Sequence, residues 1–264
     1  MLRYILAVTL AMCPAVALAD EVLPQALPPE QEAAALRAAE AAGLDIYRHD
    51  RAAAVATDAV IGLRRFKNDA RVRGWVTEEH QDRIVVTFID QAPAALYRVS
   101  VSREGVAGPV TALDEPAPLT PYELGAATAR AAALASGFEP CSKNYNSVVL
   151  PSGATPGTDW DVYMLPGTTK HNVVPIGGTY RMEIKGAKVV SQRGFTRSCI
   201  ALQNEPEALG LTITHLLDPI PTEAHVFWSL WAKKPIYVAT PPNGTIWIVE
   251  GNKIGLVERK AAGG

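Results

Sequence analysis

Two cysteines constrain this chain more than any other feature. Cys13 falls in a leader-like first stretch, so Cys141 and Cys199 are the thiols left once that stretch is set aside. In an oxidising compartment two such thiols pair. The bridge closes a loop of roughly 59 residues and, in the chain-entropy description, stabilises the fold by about 4 kcal/mol. Free thiols are the alternative. A metal site fits less well, because no CxxC spacing accompanies the pair.

The oxidising compartment is itself read from the first nineteen residues. Arg3 supplies a positive start, an apolar run follows, and Ala17-Leu18-Ala19 offers small residues for cleavage before Asp20. The run is too short for a spanning helix and no basic stop signal follows it. The expectation is a signal peptide over 1–19 and a soluble periplasmic or secreted protein with no transmembrane segment after cleavage.

Composition narrows the class. The 264 residues are 48% hydrophobic and 20% charged, with a formal net charge of −2. That excludes a disordered chain, a disulfide-dense scaffold and a nucleic-acid binder that relies on bulk positive charge. A protein partner in the cell envelope is the expectation over a nucleic acid.

Pattern divides the remainder near residue 138 into an N-terminal α+β domain over 20–137 and a β-rich domain over 138–264. The first opens with an alanine-rich helix from Glu30 that pauses at Gly43 and resumes over 49–66. Strands follow over 71–76, 83–89 and 97–101, the first two joined by the charged stretch 77–82. Thr120, Pro121 and Glu123 then form a capping box that starts a helix ending at Gly137. The second domain reads as strands over 146–150 and 160–165, a hairpin about Lys185-Gly186-Ala187 and a strand over 211–216. Next come a helix opening after Pro221 and ended by Pro235, and strands over 236–239, 245–249 and 254–257. The tail 260–264 is expected to fray. The whole is α+β: helices with a small antiparallel sheet, then a mostly β domain with one prominent helix.

Residues 97–135 (strand, glycine turn, strand, "LTPYE", alanine-rich helix) resemble the PepSY-type modules of exported proteins. The resemblance implies a binding or inhibitory accessory module.

One cluster carries candidate chemistry. His215 ends a strand, His225 lies in the first turn of the next helix, and the loop between adds Asp218 and Glu223. Two imidazoles, a carboxylate and an open position suit Zn²⁺ acting on water or a carbonyl. The same residues have structural readings: Thr222 as N-cap, Glu223 favoured by the helix dipole, His215 hydrogen-bonded in a core. Phe227 and Trp231 share a helix face by their spacing of four and point to core packing, leaving Trp228 to face outward as part of a binding patch. GxSxG, HExxH, Walker and GxGxxG patterns are absent.

The run "THLLDPIPTEAHVFWSLWAKKPIYVATPPNGTIWIVEG" resembles the core of the JAMM/MPN metallopeptidase-like fold, nearest its polymorphic-toxin-associated branch. Pro235, Tyr237, Pro241 and Gly244 keep the structural part of that pattern. His215 matches the family's first histidine. The second falls on Leu217, and the Ser and Asp of Ser-x-x-Asp fall on Thr222 and His225. Glu183 is the one tempting position for the catalytic glutamate of the family. The resemblance therefore implies an MPN-like domain that has lost metal ligands. Three expectations follow: an exported binding or accessory protein with a non-catalytic domain and no cofactor; a zinc-dependent hydrolase of peptidase type with rearranged ligands His215, His225 and Asp218, and Glu183, Thr222 or Glu223 as catalytic groups; or an immunity or effector-neutralising protein.

Overall fold

The computed structural model describes residues 25–153 and 157–259. The leader expected over 1–19 and the frayed tail expected over 260–264 lie outside the described residues.

The chain opens with α1 (Pro29–Ile61), started by proline at its first position with Glu30 and Glu32 in the first turn. The expected pause at Gly43 does not occur. A Cβ at Gly43 would lie 2.4 Å from Val226 Cβ and 2.8 Å from the Glu223 carbonyl oxygen. A second helix crosses α1 there, and that close approach outweighs glycine's cost of about 1 kcal/mol in a helix interior.

After the short α2 (Arg64–Lys67) come β1 (Gly74–His80), β2 (Arg83–Ile89), β3 (Ala95–Ser102) and β4 (Thr111–Ala117), an antiparallel meander in that order. The stretch expected to link the first two strands is instead the second half of β1, which pairs with β2 up to His80 opposite Arg83. Its polar side chains are held by α1: Thr77 is buried against His49, and Glu79 pairs with Arg48. Alternate residues Ile84, Val86 and Phe88 of β2, with Tyr97, Val99 and Val101 of β3, bury one face against Ala52, Ala56 and Val60 of α1.

The capping box forms as expected at the start of α3 (Pro121–Leu134). The Glu123 carboxylate accepts from the Thr120 N–H at 2.9 Å, the Thr87 hydroxyl at 2.6 Å and Arg98 at 2.9 Å, so the cap also locks the helix to β2 and β3.

Beyond the loop that contains residue 138 lie β5 (Tyr145–Pro151), β6 (Asp159–Pro166), β7 (Val173–Val174), β8 (Tyr180–Lys185), β9 (Lys188–Gly194) and β10 (Leu202–Gln203). The long strands form an antiparallel sheet in the order β5-β6-β8-β9, and β7 pairs with β10. Both faces of the large sheet contribute to a core, while its edge strand β9 stays largely exposed. Trp160, Val162, Met164, Met182 and Ile184 pack on the alanines of α3, while Val148, Tyr163 and Leu165 face a third core. Cys141 and Cys199 are bonded, with Cα atoms 5.3 Å apart, and tie the loop before β5 to the segment before β10. Gly178 sits under that bridge at φ +85°, where a Cβ would meet Cys141 Cβ at 2.5 Å.

The last unit is β11 (Leu211–Thr214), α4 (Glu223–Ala232), β12 (Ile236–Thr240), β13 (Thr245–Glu250) and β14 (Lys253–Arg259), with sheet order β11-β12-β13-β14. β11 and β12 run parallel, so α4 is the crossover of a βαβ unit. Both cores that involve the large sheet draw residues from either side of residue 138: Ile46 of α1 packs with α4 and the two later sheets, and Val76 and Ile89 join α3. The start of α1 also lies along the edge strand β14, where Glu32 pairs with Arg259 at 2.8 Å. Glu40 accepts from the Ile254 N–H at 2.9 Å. The architecture is α+β, and among the described residues no helix is long and apolar enough to cross a membrane.

Candidate functional site

The end of β11 delivers His215, and the loop after it returns at Thr222 to start α4, so both imidazoles arrive in one crevice. They are 2% and 1% exposed, with ring centroids 4.7 Å apart in an edge-to-face contact. His215 Nε2 lies 2.9 Å from Asp218 Oδ2. Arg193 of β9 donates to both oxygens of the same carboxylate, at 3.2 and 2.6 Å. Burial raises the Asp218 pKa, but the His215 and Arg193 hydrogen bonds outweigh it and bring the group down to about 2. Asp218 is therefore an anion, and His215 Nε2 carries the proton it donates.

His225 closes the reverse half of a capping box. Its Nδ1 accepts from the Thr222 N–H at 3.1 Å and stands 3.0 Å from the Thr222 hydroxyl. Burial, with His215 and Arg193 adding to it, pushes the His225 pKa well below its ordinary value, so the ring is neutral. With the Nδ1 lone pair taken by a backbone N–H, the proton of the neutral ring is on Nε2, and that atom is buried without a hydrogen-bond partner among the described residues.

These assignments test the ring set as a zinc site. A ligating imidazole gives one lone pair to the metal and usually donates its other N–H. His225 does the opposite at Nδ1, and Asp218 is committed to a guanidinium. Among the described residues no group of three or more His, Cys, Asp and Glu side chains is arranged to hold a metal ion. Leu217, next to Asp218 in the same loop, offers no donor. The residues do not fit zinc.

Glu183 and Glu223 meet at an arginine that sequence reading passed over. Arg181 on β8 reaches Glu183 Oε1 at 3.2 Å, Asp161 Oδ1 at 3.2 Å and Glu223 Oε1 at 3.6 Å. Arg181 and Arg193 are register partners across β8 and β9. Side by side, they fasten the start of α4 to the sheet, one through Glu223 and the other through Asp218. All six candidate residues thus lie along one polar seam between the large sheet and α4. Alternation on β8 was the available signal, since Arg181 and Glu183 stand on a face whose neighbours are core. Nothing in the sequence named their partners.

Further along, Asp161 and Tyr163 line a cleft of about 450 Å³ whose other walls are α1, with Asp45 and His49, and Glu79 and Tyr122. His49 Nδ1 is 2.7 Å from the Thr77 hydroxyl, and burial lowers the pKa of its ring to about 4 despite Glu79 nearby. Burial raises the Asp45, Asp161 and Tyr122 groups. The cleft sets these polar groups among apolar walls of Ala38, Ala41, Leu150 and Pro151, and burial displaces Asp45, His49, Asp161 and Tyr122 from their usual ranges.

The helix face expected to be core is buried at Phe227, but Trp228 does not face outward. It is 2% exposed and its Nε1 donates to the Thr179 hydroxyl at 2.9 Å, whereas Trp231 is 40% exposed. α4 is enclosed by α1 on one side and two sheets on the others, so a single outward stripe is all that remains to it.

No protein-family model, curated protein or solved structure matches this chain.

Proposed function

We propose that the chain is an exported binding or accessory protein whose second half is a non-catalytic relative of the JAMM/MPN fold. The observation that carries the reading is the internal commitment of the candidate catalytic groups. Asp218 is held by Arg193 and His215, His225 Nδ1 by the Thr222 N–H, and Glu183 and Glu223 by Arg181. A hydrolase keeps a base within reach of substrate and a position open on its metal; here the same side chains fasten a helix to a sheet. The resemblance itself rests on the sequence run that spans β11, α4, β12 and β13, and its departures from the family pattern fall at the ligand positions Leu217, Thr222 and His225. Export is supported by the leader pattern and by the Cys141–Cys199 bridge, which persists in an oxidising compartment.

The test is elemental analysis of zinc on tag-free mature protein, paired with a peptidase assay. Substoichiometric zinc and no hydrolysis are expected. One zinc per chain, lost in His215→Gln while the fold persists by circular dichroism, would overturn the reading in favour of a rearranged metal hydrolase.

A further inference from the structure

A second concavity lies along α4 at Phe227, Trp228 and Trp231, and neither histidine lines it. It is an open groove of about 600 Å³, bordered by the Cys141 loop, the loop after β6 and the exposed end of α4. Three observations there point to a ligand of one chemistry.

The first is an indole held rigidly at the surface. Trp231 is 40% exposed, yet it packs edge-to-face on Trp228 at 5.3 Å, and Trp228 is pinned by its hydrogen bond to Thr179. An exposed aromatic that is fixed in advance loses little entropy when a flat partner stacks on it. The second is the floor. Asp50 of α1 lines the groove while only 8% exposed, and its Oδ1 accepts from Asn146 Nδ2 at 2.8 Å. Among the described residues no cation pairs with it, and burial raises its carboxyl. A carboxyl and a carboxamide side by side present donors and acceptors together, as vicinal hydroxyls require. The third is the rim. Lys143 and Lys170 line the groove with no ion-pair partner among the described residues, in a chain whose net charge is negative.

We propose that this groove binds an oligosaccharide bearing carboxylate groups, with a sugar ring stacked on Trp231, its hydroxyls on Asp50 and Asn146, and its carboxylates on Lys143 and Lys170. An acidic peptide would satisfy the lysines but would bring no vicinal hydroxyls to the Asp50–Asn146 floor. The inference rests on the chain being a binding protein and names a ligand class for it, at a site apart from the histidines.

The test is calorimetric titration of the mature protein with tetragalacturonate and a hyaluronan tetrasaccharide, with a neutral tetrasaccharide and a tetraglutamate peptide as comparators. At least one acidic sugar is expected to bind more tightly than both comparators. Trp231→Ala should weaken it by roughly tenfold or more, as loss of a central aromatic anchor does, with Trp231→Phe restoring part of the loss. Lys143→Ala and Lys170→Ala should each weaken it by about threefold at low salt and reduce its salt dependence. Failure of both acidic sugars to bind at millimolar concentration, tetraglutamate binding as tightly as either, or affinity unchanged in Trp231→Ala would each overturn the proposal. The zinc and peptidase assays are read separately, so the loss of this ligand class and the loss of the non-catalytic reading remain distinguishable.

Discussion

His49 and His225 are buried where an imidazolium would meet too little compensating charge, and both remain neutral in the fold. The unfolded chain protonates them near their ordinary value of about 6.5. Their folded pKa values lie below that, so the unfolded state binds more protons between the two. Stability is complete above about pH 6.5 and falls as the pH drops, by up to ~1.4 kcal/mol per pH unit for each group. For His49 the loss runs down to about pH 4. Urea midpoints measured from pH 7 to pH 5 should therefore decline, and His49→Gln should flatten the decline; an unchanged slope in that variant would contradict a buried neutral ring. Asp218 acts in the same direction over a lower pH window. Its folded pKa of about 2 lies below its ordinary value of 3.8, so its contribution persists through mild acid and is lost only between those values. Its anchor is Arg193, and Arg193→Met should destabilise the protein by about 2 kcal/mol at pH 7, because it leaves a part-buried carboxylate with only His215. The same variant should raise the Asp218 pKa, which NMR titration would read. At this scale the sequence placed His215, Asp218 and His225 in one crevice correctly, since a strand end and the helix start after it converge. It missed Arg181 and Arg193, because a cross-sheet partner has no fixed spacing in the chain.

At the scale of elements, local signals carried the hairpin about Gly186 and the capping box at Thr120, whose chemistry is complete within a few residues. They failed where a distant element decides. Gly43 reads as a helix breaker until the Val226 side chain is seen against it, and 77–82 reads as a loop until Thr77 and Glu79 are seen docked on α1. The two-residue strands β7 and β10 are too short for any alternation to register. Gly43→Ala separates the two effects. In an isolated helix the change stabilises by about 1 kcal/mol, but here the new methyl group has no room beside α4 and the net loss should be ~2 kcal/mol or more. Urea denaturation of the variant measures it; a stabilised Gly43→Ala protein would show that the helices do not cross this closely.

The whole molecule is held by cores that take residues from both ends of the chain. Ile46 and Leu36 of α1 pack with Phe227, Ile236 and Val249, so the helix that begins the first half also completes the second. Composition and periodicity suggested a division near residue 138, where the loop before the disulfide does lie, but neither pattern reports which surfaces a helix covers. Residues 138–264 expressed alone would expose the side of α4 that α1 covers. That fragment should show poorly dispersed amide resonances and bind a hydrophobic dye even with the disulfide intact, whereas a dispersed spectrum would show that the second half needs no help from α1.

The pairing of Glu32 with Arg259 bridges 227 positions of sequence at 2.8 Å, which places the first turn of α1 beside the last residue of β14. Dyes placed at these two positions therefore make a ruler for the fold: they should sit within a few nanometres in the native protein and separate when α1 peels from β14, reporting the loss of that contact apart from the melting of either half.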